Sequence, residues 1–92
     1  MIVSFRHKGL EALFLTGSKW GVQPHHAPKL LRMLDMLDFA IRPEELILDG
    51  FRTHQLSGDM DGFWSMRVNG SWRLTYRFVG EDIEHVDYRD YH

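Results

Sequence analysis

Arg67, Arg73 and Arg77 recur along two stretches, "FWSMRV" and "SWRLTYRF", in which polar and apolar residues alternate; His54 lies upstream, and Asp90, Tyr91 and His92 follow at positions 90–92. These residue types are sufficient for RNA cleavage by attack of a 2′-hydroxyl on the adjacent phosphate. That attack needs a general base, the departing 5′-oxygen needs a general acid, and the phosphorane between them needs positive charge. Histidine titrates near neutrality and can serve either proton step. Tyrosine can stack on a splayed base, the usual way of holding single-stranded RNA. The same alternation has a plainer meaning, since arginines interleaved with aromatics are what the wet side of any half-buried antiparallel sheet shows. The residues alone leave both open.

The elements that must position these groups are legible from periodicity. "IVSF" reads as a short first strand with Val3 and Phe5 on one face. From Lys8, the spacing of Leu10, Leu13 and Phe14 predicts a helix, stopped by the glycine of "TGS". A second helix is expected from Pro24, with Ala27, Leu30, Leu31, Leu34, Leu37 and Ile41 as its apolar stripe and Pro43 as its end. An acidic, loop-like connection follows. "FRTHQL" offers a brief strand, and then the period changes to two. Trp64, Met66 and Val68 share one face, with Phe63, Ser65 and Arg67 on the other. "NG" at 69–70 signals a type I′ hairpin turn. The next strand turns Trp72, Leu74, Tyr76 and Phe78 inward and Arg73, Thr75 and Arg77 outward, and "IEHVDY" makes a last strand. The fold class is therefore α+β: an N-terminal strand and two helices, the helices covering one face of an antiparallel sheet and leaving the arginine face open.

A chain of 92 residues with 43% hydrophobic content suits one core, so residues 1–92 are read as a single domain. There is no cysteine, which removes disulfide frameworks and thiolate zinc sites and fits a reducing compartment, with cytoplasm the expectation. No apolar segment matches a signal peptide or a bilayer span. The net charge of −2 is unevenly spread. Residues 1–32 carry five basic and one acidic side chain, and residues 62–80 carry three arginines and no acid. A basic patch on an acidic protein is compatible with a polyanionic partner.

Other motifs are weaker. His25 and His26, which with His7 and His85 invite a metal reading, point apart on a helix and have no carboxylate four residues on from either, so they read as solvated helix-start residues rather than metal ligands. "PEELILDGF" lacks the ligand spacing of a calcium loop, and "SGDMDG" has neither the spacing nor the lysine of a phosphate loop. No metal or other cofactor is expected.

The ordered set "THQLSGDMDGFWSMRVNGSWRLTYRF" and "HVDYRDYH" resembles the HigB toxins of the RelE/ParE toxin superfamily, with their histidine before a leucine and a glycine-aspartate pair, Trp-Ser strand, Trp-Arg-Leu strand and Asp-Tyr-His ending. "SFRHKGLEALFLTGSKWGVQP" is similar to the family's N-terminal segment, so the likeness covers almost the whole chain. It implies a RelE-like fold, two helices packed on a curved antiparallel sheet. It also implies a metal-independent, ribosome-dependent mRNA endonuclease, held inactive by a HigA-type antitoxin that carries any contact with operator DNA. By matching position it assigns His54 and His92 to proton transfer and substrate orientation, and Arg73 to the scissile phosphate. Tyr91 falls to stacking or proton relay, and Asp90 to orienting an imidazole or the RNA. Arg67 and Arg77, with Ser57, fall on the RNA-binding surface. Ser57 stands where the family more often has lysine, Gln55 where it often has proline, and Met60 with Asp61 where basic residues are common. These departures predict a weaker phosphate grip. A module that keeps the fold and the antitoxin but acts mainly in operon autoregulation is the alternative. Removal of the Asp-Tyr-His segment is expected to abolish activity without unfolding the protein.

Overall fold

The structure, a computed structural model, describes residues 1–47 and 50–91. His92, one of the residues expected to handle protons, lies outside the described residues. Helix α1 spans Lys8–Thr16 and α2 spans Ala27–Phe39, the latter entered through a 3₁₀ turn at Pro24–His26. A four-residue helix, α3, covers Glu44–Ile47. The strands are β1 (His54–Gln55), β2 (Trp64–Asn69), β3 (Trp72–Val79) and β4 (Asp82–Asp90), antiparallel in the order β1-β2-β3-β4.

Local chemistry sets the ends of these elements. The His7 ring accepts the Leu10 backbone N–H at 3.0 Å as an N-cap, and Gly17 closes α1 in the left-handed region at φ 79°. The segment after α1 doubles back so tightly that a Cβ on Gly21 would lie 2.4 Å from the Cα of Gly9, which is why neither position carries a side chain. The α2 stripe meets the sheet through Leu30, Met33, Leu34 and Leu37, all fully buried against Met66, Val68, Leu74, Tyr76, Ile83 and Val86. Each such side chain contributes roughly 1.5–3 kcal/mol of transfer free energy.

The structure departs from the sequence expectations at several places. The N-terminal strand is reduced to two parallel bridges onto β4, Ile2 to Ile83 and Phe5 to Val86. Those inward positions are three residues apart, so Ile2 joins Phe5 on the core and Val3 is half exposed. α2 stops at Phe39, before Pro43, and Ile41 lies beyond it on the surface. The acidic stretch contains α3, started by Glu44 and Glu45 in the first turn, where carboxylates suit the helix dipole. The hairpin turn is Gly70–Ser71 rather than Asn69–Gly70, because a bulge at Val68 moves the register so that Asn69 pairs with Trp72. Of the two turn residues only Gly70 has positive φ, 55°, as a type II′ turn requires. His26 is not solvated: it is 3% exposed, its Nδ1 is 2.6 Å from the Tyr88 hydroxyl, and Trp72 lies edge-on to it.

Candidate RNA-binding and catalytic face

Residues directly opposed across antiparallel strands share a face, so the register reads out the surface turned away from the helices. One row across it is His54, Ser65, Thr75 and Asp87. The next row is Arg67, Arg73 and Arg89. At the other end Arg77 opposes Glu84. A second bulge, centred on His85 at φ 56°, allows Asp87 and Glu84 to share a face although they are an odd number of residues apart.

The middle of this face is drier than an open sheet. Ser65 is 1% exposed and Thr75 is fully buried, although both lie on the outward side. On that side Ser65 lies between Phe63 and Arg67, and Thr75 between Arg73 and Arg77. Phe63 is also buried, with the guanidinium groups of Arg6 and Arg77 over its ring at 5.1 and 5.4 Å and the His85 ring stacked on it.

The cations are unequally committed. Arg77 donates from Nε and Nη2 to Glu84 Oε2, the former at 2.8 Å, so its charge is largely neutralised. Arg89 Nε donates to Asp87 Oδ2 at 2.9 Å. This bond to Asp87, more than any other cause, raises the Arg89 pKa, and Tyr91 adds in the same direction. Arg73 Nη1 donates to the carbonyls of Gly70 (2.7 Å) and Trp72 (3.0 Å), which pins the guanidinium to the turn and leaves Nε and Nη2 for an anion. The Arg67 side chain has no ion pair or hydrogen bond among the described residues. Among the described residues, two positive charges without an acidic partner thus stand side by side on β2 and β3.

His54 sits on the short edge strand, exposed, with its Nδ1–H donating to the Arg52 carbonyl at 2.8 Å. A carbonyl can only accept, so in the neutral ring Nε2 carries the lone pair, as a general base needs. Arg52 itself has φ 53°, a conformation uncommon outside glycine that accompanies this contact. With strands about 4.8 Å apart and successive same-face rows about 6.8 Å apart, the backbone of His54 is roughly 12 Å from that of Arg73, a gap their side chains can span with a phosphodiester between them.

The expected site residues divide accordingly. Arg67 and Arg73 are brought together; Tyr91 is held next to the β2–β3 turn, its N–H donating to the Ser71 carbonyl at 2.8 Å, and its ring is partly exposed. Asp90 pairs with Trp72 and lies on the opposite face, where its carboxylate accepts a hydrogen bond from the Ser71 hydroxyl. Ser57, on the β1–β2 loop ahead of a 3₁₀ turn at Gly58–Met60, is exposed at the Arg77 end, away from the arginine row. Arg89 was not singled out from the sequence. The alternation of Asp87, Arg89 and Tyr91, continued to the end of the last strand, was the signal available for it.

A profile of the HigB-like toxins, described as the RelE-like toxin of the type II toxin-antitoxin system HigB, matches residues 3–92. The chain belongs to that family. This HigB-like toxin is 38% identical over 92 residues to the Endoribonuclease HigB of Proteus vulgaris, with both chains fully covered. It is 32% identical over 81 residues to Toxin HigB-1 of Vibrio cholerae serotype O1, across 86% of this chain and 85% of that one. In fold it is similar to a YoeB/ParE toxin from Agrobacterium tumefaciens, with a TM-score of 0.63 at 19% identity over 99% of this chain and 98% of the other. The RelE-like α+β layout expected from the motifs is thus the observed one. As a type II toxin, it has an antitoxin as its partner. Among the described residues, no helix is long and apolar enough to cross a membrane.

Proposed function

We propose that this HigB-like toxin cleaves mRNA on the ribosome, in the cytoplasm, and that a HigA-type antitoxin neutralises it and mediates any contact with operator DNA. The observation that carries this reading is the juxtaposition of Arg67 and Arg73 on an outward sheet face. Like charges directly opposed across a ladder cost stability, and a bound phosphate converts that cost into affinity. The 2′-hydroxyl loses its proton to a base, the role we assign to His54 Nε2, which the bond from Nδ1 to the Arg52 carbonyl leaves free to accept. Its oxygen bonds to phosphorus, and Arg73 with Arg67 stabilises the added negative charge. The bond to the 5′-oxygen then breaks, and that oxygen takes a proton from an acid, the role left for His92. Tyr91 stacks on a base beside the cut or relays a proton. Asp90, on the other face, acts by holding the end of β4 through Ser71 rather than by touching RNA. Ser57 and Arg77 contact the RNA further along the face.

The test is to incubate purified toxin with translating ribosomes and a defined message and map the cuts, with His54→Ala and a chain lacking His92 alongside. Cuts confined to the decoding site that vanish in both variants are expected. Uncut message from a folded toxin that still binds its antitoxin would support the autoregulatory alternative, which Ser57 and the net acidity favour.

A further inference from the structure

Asp87 and Arg89 occupy alternate positions at the end of β4, with Tyr91 one residue past it, and the register places Asp87 opposite Thr75 and Arg89 opposite Arg73. Asp87 is itself fixed: one carboxylate oxygen accepts the Tyr88 N–H at 2.9 Å and the other accepts Arg89 Nε at 2.9 Å. The Asp87 side chain is 17% exposed and that of Arg89 is 33% exposed, so the pair is partly desolvated and less mobile than a surface ion pair. Beyond it the chain leaves the strand, and the Tyr91 N–H donates to the Ser71 carbonyl at 2.8 Å. The Thr75 hydroxyl, buried beside Asp87, has no hydrogen-bond partner among the described residues, an orphan group of the kind that functional surfaces retain.

We propose that Asp87 and Arg89 are positioning residues for Tyr91: the carboxylate clamps the guanidinium, and the guanidinium, on the residue opposite Arg73 and two before Tyr91, holds the phenol toward the phosphate-binding arginines. The inference rests on the nuclease reading of this face and adds two residues to it. A guanidinium clamped at Nε by Asp87 still has its Nη groups to offer the phenol on one side and an RNA phosphate on the other, which a lysine cannot do with the same geometry.

The experiment is a double-mutant cycle on single-turnover cleavage of ribosome-bound message at saturating toxin, with ribosome affinity and thermal unfolding measured in parallel. Arg89→Gln is expected to lower the cleavage rate about 10–100-fold with little change in affinity, the size of loss that follows misplacement of a reacting group by about 1 Å. Tyr91→Ala lowers it comparably, and the double variant is no slower than the slower single one. Arg89→Lys recovers part of the rate, and Asp87→Asn falls between. Multiplicative losses, or an unchanged rate in a folded Arg89→Gln protein, would overturn the proposal. If Arg89→Gln does not fold, the Asp87→Asn and Tyr91→Ala cycle decides in the same way. If wild-type toxin cuts nothing, the nuclease reading fails. The positioning claim is then read from the Tyr91 ring resonances by NMR, expected to collapse toward averaged values in Arg89→Gln and contradicted if they do not move.

Discussion

Arg67 on β2 and Arg73 on β3 face each other directly, and Arg73 in turn faces Arg89 on β4. No purely structural need places three guanidinium groups abreast, and the fold tolerates them by tying Arg89 to Asp87 and Arg73 to turn carbonyls, while Arg67 has no ion pair among the described residues. Relief of this repulsion is measurable. Arg67→Gln is expected to raise the melting temperature by about 1–5 °C, from the modest worth of a cross-strand charge pair, while weakening binding to ribosome-bound message. A lower melting temperature, or unchanged binding, would contradict the assignment.

Tyr76 is fully buried on the helix side of the sheet, its hydroxyl has no partner among the described residues, and burial pushes its phenol well above the usual range. Tyr76→Phe keeps the packing and removes the unsatisfied hydroxyl. Thermal unfolding should show stabilisation of about 1 kcal/mol, several degrees for a domain of this size, with cleavage unaffected.

His26 gives the toxin an acid limit. Burial, then the neighbouring His25 and Lys29 charges, lower its pKa below the ordinary 6.5 in the folded state. The unfolded chain therefore binds more protons in the window below 6.5. Stability from this group is present above that value and falls as pH drops toward the folded-state pKa. Melting temperatures recorded from pH 7 to pH 5 should decline, and His26→Gln should flatten that decline while lowering stability at pH 7 through loss of the contact to Tyr88.

How far the sequence reached is clear from these particular residues. The period-two pattern around Trp64–Val68 and Trp72–Phe78 located both central strands and the outward arginines, because alternation is a local property. The bulges at Val68 and His85 were not legible, since each depends on the pairing partner, and they moved the turn by one residue and set Glu84 and Asp87 on a common face. His26 was read as solvated because its burial comes from Tyr88 and Trp72, more than forty residues away. The terminal motif was legible as chemistry, while its division between two faces at Asp90 and Tyr91 needed the register.

Ser57 stands exposed ahead of the 3₁₀ turn at Gly58–Met60, at the position where the resemblance leads one to expect lysine, on the loop next to the proposed RNA-binding face. Ser57→Lys is expected to increase cleavage and to steepen the logarithmic salt dependence of binding by about 0.7, the value of one added phosphate contact on a single strand. An unchanged rate and slope on ribosome-bound message would place that loop outside the RNA path.

The central claim is that the Arg67 and Arg73 surface binds and cleaves RNA, and single-turnover cleavage by Arg73→Gln at saturating toxin tests it most directly. The account predicts site-specific cutting by wild-type toxin and a fall of about 10²–10³-fold in the variant, the usual loss when a transition-state charge stabiliser is removed. A folded Arg73→Gln protein that cuts the same message at the wild-type rate would contradict it.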